Sequence, residues 1–151
     1  MIEFIDTHTH LFEPEFAEDR EAVVQRAAEA GVKTLCLPCI TEASLSRMED
    51  MCAGFPGICY PMIGLHPTEL GDDYQAVLDR MYKELKGNDS YIAVGEVGLD
   101  LYWDDTRKNE QLDAFRQQIE WSAETTAMAL FTYSKTASWA AACSPCFRQR
   151  M

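Results

Sequence analysis

Four times along this chain the spacing of apolar residues switches from the period of a strand to that of a helix, and this alternation limits the possible folds more than any other feature. "IEFIDTHT" carries Ile2, Phe4 and Ile5, and "EFAEDREAVVQRAAEAG" follows with Val23, Val24, Ala27 and Ala28 on one helical face and Gly31 as a C-terminal stop. "VKTLCLP" is a short apolar strand, and "TEASLSRMEDMCAGF" is a helix with Thr41 as its N-cap. "GICYPMIG" is a third strand. After it, "DDYQAVLDRMYKELKG" sets Tyr74, Val77, Leu78, Met81 and Leu85 at helical spacing, with Asp72 at its start and Lys86-Gly87 at its end. "SYIAVGEVG" reads as strand four, and Leu112, Phe115 and Ile119 as the inner face of a fourth helix. A (βα)₄ order implies a parallel sheet, since parallel neighbours need helical crossovers.

Four units leave open whether the sheet is open or half of a closed barrel. A full (β/α)₈ barrel takes about 250 residues, and this chain has 151. No G-x-G-x-x-G follows strand one and no G-x-x-x-x-G-K-[ST] occurs, so neither common nucleotide-binding fingerprint is present. The formal net charge of -12 argues against a protein that tracks nucleic acid by a broad basic face. It leaves room for an enzyme that meets phosphates through bound metal, because metal sites are built from carboxylates. There is no basic leader followed by an apolar run, and no uninterrupted apolar stretch approaches the roughly 18 residues of a membrane span. A single soluble, cytoplasmic domain with no membrane contact is therefore expected, with its six cysteines as reduced thiols.

Strand side chains alternate between faces, so Ile2, Phe4, Asp6, His8 and His10 share one face as far as the first strand continues. The two imidazoles would then meet at the carboxyl end of the strand, where parallel α/β folds build their sites. Neutral imidazole is a common ligand for zinc and its neighbours. Alone, the pair could equally be half-buried histidines capping a loop. Strand three, however, ends in "GLHP", bringing His66 to the same rim, and strand four ends in "VGEVGLD", with Ile92, Val94 and Glu96 on one face. A carboxylate on an apolar strand is costly to bury without a cation. The competing account of Glu96 is a structural ion pair with Arg107 or Lys108. Three histidines and a glutamate converging on one rim favour a metal site.

"DTHTHL" at 6 to 11, "GLHP" at 64 to 67 and "GEVGLD" at 95 to 100, in that order, resemble the TatD family of metal-dependent deoxyribonucleases. The likeness runs from residue 1 to about 124 and includes "RKNEQLDAFRQQIEWSAE", similar to the helix that follows the glutamate in that family. It implies a TIM (β/α)₈ barrel of which this chain carries the first four units, and a hydrolase that cleaves phosphodiester bonds in DNA by metal-activated water. It further implies that His8 and His10 ligate one divalent ion, that Glu96 bridges two and serves catalysis, and that His66 is a substrate-binding or supporting residue. The complete site would hold two ions; magnesium, manganese and zinc all suit histidine with carboxylate. DNA is the implied substrate, and no stable protein partner is implied.

Composition breaks where the likeness ends. Every acidic residue lies at or before Glu124, whereas "TTAMALFTYSKTASWAAACSPCFRQRM" from Thr125 onward holds none. The family continues there into a strand ending in a histidine, then a further histidine and an aspartate; Thr132 or Tyr133 stands about where the first of these belongs. Residues 1–124 are accordingly expected to form the N-terminal half of a barrel, and 125–151 a divergent tail produced by a reading-frame slip near codon 125. Such a chain is expected to be weakly active or inactive, or merely a metal-binding fragment. A genuine short variant with a divergent tail is the alternative. "CLPC" at 36 to 39 and "CSPC" at 143 to 146 offer a rival reading as a thiol redox pair or a four-thiolate zinc site.

Overall fold

The computed structural model describes residues 2–103, 105–125 and 127–134. Five parallel strands form one sheet in the order β1-β2-β3-β4-β5, so every strand lies beside its neighbour in sequence. They are β1 (Phe4–Asp6), β2 (Val32–Pro38), β3 (Cys59–Ile63), β4 (Ala93–Asp100) and β5 (Met128–Ser134). Four helices provide the crossovers: α1 (Arg20–Glu29), α2 (Leu45–Gly54), α3 (Tyr74–Gly87) and α4 (Lys108–Glu124). The register runs Asp6 to Leu35, Leu35 to Cys59, Met62 to Ala93 and Ala93 to Met128. The expected βα repeat is present, and β5 adds a strand that the four-unit reading did not include. Among the described residues, no helix is long and apolar enough to cross a membrane.

The main core lies between sheet and helices. Leu35, Leu37, Ile63, Val94 and Val97 meet Val24 of α1, Met48 of α2, Leu78 and Met81 of α3, and Trp121 of α4. Full burial of each such side chain is worth roughly 1.5–3 kcal/mol. The intervening strand residues Cys36, Met62 and Ala93 form a smaller cluster with Ile92 and Met128. Helix ends follow the sequence signals. Gly31, just past α1, adopts φ +96°, a value that favours glycine. Thr41 caps the short 3₁₀ turn leading into α2: its hydroxyl accepts from the Ser44 amide at 3.2 Å while Ser44 Oγ accepts from the Thr41 amide at 3.2 Å.

Two facial assignments differ from expectation. The buried residues of α4 are Gln111, Ala114, Gln118 and Trp121, whereas Leu112 and Phe115 are only partly buried and Ile119 is 37% exposed. The helix is thus rotated from the Leu112–Phe115–Ile119 face, because two buried glutamines carry backbone contacts that leucine could not make. On β4, Val94 and Val97 both join the helix-side core although three residues apart, and the ladder to β5 shifts register between them. This irregularity breaks the simple alternation that would have put Glu96 on the Val94 face, and irregularities of this kind re-aim side chains.

Candidate metal centre

β1 stops at Asp6, so His8 and His10 lie on the segment after the strand and not on its continuation. Backbone hydrogen bonds fix that segment to its neighbours. The Thr9 amide donates to the Cys36 carbonyl at 3.1 Å, the His66 amide to Ile40 at 3.0 Å, and the Glu96 amide to Cys39 at 3.0 Å. The Cys39 amide in turn faces the carbonyls of Met62 at 3.0 Å and Gly95 at 3.2 Å. The carboxyl ends of four strands are sewn into one rim. Behind His10, the Arg20 guanidinium gathers the carbonyls of Leu11, Phe12 and Glu13 at 2.6, 2.9 and 3.1 Å, closing the turn that follows the histidine pair. Phe12, fully buried, sits edge-on to the His10 ring with centroids 5.7 Å apart.

The three histidines converge on Glu96, whose side chain is only 4% exposed. His8 Nε2 stands 3.1 Å and His10 Nε2 3.7 Å from Glu96 Oε2, and the two Nε2 atoms are 3.0 Å apart. His66 Nε2 approaches the other carboxylate oxygen, Oε1, at 3.6 Å. Arg107 does not pair with Glu96: its guanidinium donates to the Leu70 carbonyl and, at 2.6 Å, to Asp72. The ion pair offered as the alternative for Arg107 is therefore directed elsewhere.

The charge states follow from these contacts. Burial penalises the Glu96 carboxylate, but the N–H groups of His66 and His8 and their charges outweigh it, holding the carboxyl well below the usual range. The hydrogen bond to Glu96 raises His8 against the opposing effect of burial. Burial and the neighbouring His8 charge lower His10. Without metal, then, His8 holds a proton more readily than His10.

The donor set fits a divalent cation. His10 Nδ1 lies 3.1 Å from the Pro38 carbonyl, which can only accept, so the ring proton sits on Nδ1 and the Nε2 lone pair faces His8 and Glu96. His8 Nε2, His10 Nε2 and a Glu96 oxygen all lie within 4.8 Å of one another. Bonds of 2.0–2.1 Å in a tetrahedral set require ligand–ligand edges of roughly 3.3–3.4 Å. The observed edges of 3.0, 3.1 and 3.7 Å straddle that value. His66 is oriented differently. Its Nδ1 accepts from the Thr68 amide at 3.3 Å, which leaves the proton on Nε2, facing Glu96 as a donor.

Two buried glutamines escaped the sequence reading. Gln118 accepts from the Leu65 amide at 2.7 Å and donates to the Leu65 carbonyl at 3.3 Å, pinning the residue before His66. Gln111 does the same for Asp100 at the end of β4, at 2.9 and 3.0 Å. Their spacing with Ala114 and Trp121 is as regular as that of the Leu112 stripe, and this is the signal that could have revealed them. The thiols run against the rival reading. Cys36 and Cys39 are buried and free, and burial pushes each up to about 11, opposite to the thiolate that redox exchange or zinc requires. Cys143 and Cys146 lie outside the described residues.

A parallel α/β sheet bearing a histidine–carboxylate cluster at the carboxyl ends of its strands is an arrangement that barrel-type metal-dependent hydrolases use. The chain belongs to the family described as TatD related DNase, whose sequence pattern matches residues 5–136. It is 34% identical over 118 residues to the Escherichia coli protein named "Uncharacterized metal-dependent hydrolase YjjV", covering 78% of this chain and 45% of that protein. It is 33% identical over 135 residues to the Dickeya dadantii protein named "3'-5' ssDNA/RNA exonuclease TatD", covering 87% of this chain and 49% of the relative. The crystal structure of the E. coli YjjV TatD homologue superimposes with a TM-score of 0.77 at 31% identity, over 88% of this chain and 51% of that one. A TatD family hydrolase from Entamoeba histolytica shares the fold, with a TM-score of 0.76 at 22% identity. The chain spans about half the length of these relatives, as a partial barrel does.

Proposed function

We propose that this chain carries the first part of a nucleic-acid phosphodiesterase site, with His8, His10 and Glu96 as ligands of a divalent ion. The observation that carries the reading is the triangle of His8 Nε2, His10 Nε2 and Glu96 Oε2, with edges of 3.0, 3.7 and 3.1 Å, close to the spacing a metal imposes on its ligands. The chemistry a divalent ion supplies in such a set is polarisation of a phosphoryl oxygen and activation of water near neutral pH. The residues do the rest. Glu96 brings the negative charge that neutral imidazoles lack, and its two oxygens face different neighbours, Oε2 the histidine pair and Oε1 His66, as a bridge between two ions would require. The Pro38 carbonyl holds His10 in the ligating tautomer. His66 presents Nε2–H toward the centre, suited to a phosphoryl oxygen of the substrate. Single-stranded DNA or RNA is the substrate class, as the name of the Dickeya relative states for that protein.

The test is titration calorimetry with manganese and zinc, followed by cleavage of an end-labelled oligonucleotide with manganese or magnesium. Binding by the unmodified chain, lost in His8→Ala and Glu96→Ala and retained in Cys36→Ser, is the expected result. Equal binding by all four proteins would refute the assignment.

A further inference from the structure

The end of β4 is built with care that the metal centre does not explain. Asp100, 2% exposed, has its amide and carbonyl both held by Gln111, itself 1% exposed. The Asp100 carboxylate then accepts from the next turn, taking the Tyr102 amide at 3.0 Å and the Trp103 amide at 3.2 Å on the same oxygen. Two buried polar side chains thus fix the backbone of two aromatic residues. Yet the aromatic rings themselves are in solvent: Tyr102 is 45% and Trp103 72% exposed, packed edge to face with centroids 4.7 Å apart and planes at 81°. Tyrosine and tryptophan are enriched at interfaces, and a rigid mount that holds two such rings outward suits a binding surface.

We propose that Tyr102 and Trp103 are a stacking platform for an unpaired nucleobase of the substrate strand. This rests on the nucleic-acid reading above and extends it to a subsite. The pair follows directly on the strand that carries Glu96, which stands four residues before Asp100, roughly 13 Å along an extended strand. A short oligonucleotide spans that distance. Charge selects the same mode of binding. At -12 the chain repels phosphates, so affinity for a strand must come from metal and from contacts indifferent to charge. A base face on an indole is such a contact, and it is tolerant of sequence because every base has one.

The probe is fluorescein-labelled oligothymidylate, of ~4–16 nucleotides as single-strand sites require, and the same oligomer with single abasic positions. Equilibrium binding is read by anisotropy after chelation, and KM and kcat for cleavage with manganese. Stacking of one base is worth about 5- to 150-fold in affinity. Trp103→Ala should therefore raise Kd and KM by that factor with kcat little changed, while Trp103→Phe, which keeps a ring, stays near the unmodified chain. One abasic position should weaken the unmodified chain as much as the substitution does, and have no further effect on Trp103→Ala. Both residues are exposed, and circular dichroism confirms folding of the variants. If the unmodified chain binds the strand, with or without cleaving it, and Trp103→Ala binds equally well, the platform is refuted and the nucleic-acid reading stands. If the unmodified chain neither binds nor cleaves any oligonucleotide, the nucleic-acid reading falls and takes the platform with it.

Discussion

Replacing Gly64 by alanine should strike the candidate metal centre without touching any of its side chains. Gly64 lies just past β3, and a Cβ there would stand 2.7 Å from Val97 Cγ1, 2.9 Å from the Gly95 carbonyl carbon and 3.1 Å from Gly95 Cα. Its φ lies outside the left-handed region, so space alone decides. Comfortable carbon–carbon contact is about 3.5–4.0 Å, so relief of about 0.8 Å is needed. None is available locally: Val97 is fully buried and its branched side chain has one soft torsion, and Gly95 offers only backbone. β4 must move. Overpacking of this kind costs about 3 kcal/mol, offset by under about 1 kcal/mol from the stiffer unfolded chain. A net loss of about 2 kcal/mol corresponds to a fall of roughly 4–8 °C in Tm for a chain of this size. Because Glu96 follows Gly95 directly, the same shift displaces the carboxylate from the histidine pair, and manganese affinity should drop at least about tenfold. Thermal melts followed by circular dichroism and titration calorimetry measure both. The control is Gly87→Ala, where a Cβ meets nothing within 4 Å, and which should be neutral or slightly stabilising. A Gly64→Ala protein that matches the unmodified chain in both Tm and metal affinity would refute the reasoning.

Gln118→Leu leaves the Leu65 amide and carbonyl buried without partners, at roughly 1–3 kcal/mol for each group, and urea denaturation should show a midpoint lowered accordingly. Thr41→Ala removes one cap bond and should cost about 1 kcal/mol in the same assay with metal affinity unchanged, since the cap serves α2 and not the rim. Metal affinity should weaken as pH falls through the raised value of His8, because a cation must displace its proton; calorimetry in buffers of different ionisation enthalpy should register protons released below that point and few well above it. In the metal-free chain, the Glu96 share of its pairing with His8 is complete above the unfolded carboxylate value and is lost as pH falls below it, whereas the His8 share is complete below about pH 6.5, the unfolded value, and is lost as pH rises through the raised folded value. His10 opposes it: its lowered value means that the unfolded chain binds protons first, so its contribution falls as pH drops below the same point.

Much of the fold is legible because each boundary is a local chemical event: a threonine hydroxyl that accepts from the Ser44 amide at Thr41, a glycine at φ +96° after α1, apolar residues at helical spacing along α3. What failed to read was non-local. The His8–His10 pair reaches the rim by a route that strand alternation does not describe, since the strand ends at Asp6 and the convergence comes from hydrogen bonds to the neighbouring rim segments. Glu96 reaches the histidines through a register irregularity that no periodicity announces. Gln111 and Gln118 escape a hydropathy pattern because it does not distinguish an amide facing water from one facing a peptide group. The strand-end positions of His8, His10, His66 and Glu96 placed them on one rim, and the structure brings all four side chains within 3.7 Å of a neighbour in that cluster.

The sequential strand order has a consequence for how the sheet assembles. In sheets where a later strand inserts between earlier ones, pairs formed first must wait or reopen. Here each strand pairs with the one before it, so the sheet can grow at a single edge as the chain lengthens, each step closing only one helical crossover. His8 and His10 are then among the first side chains in position, yet their carboxylate arrives only with the fourth strand. Through most of that growth the pair stands without the carboxylate that it meets in the finished rim.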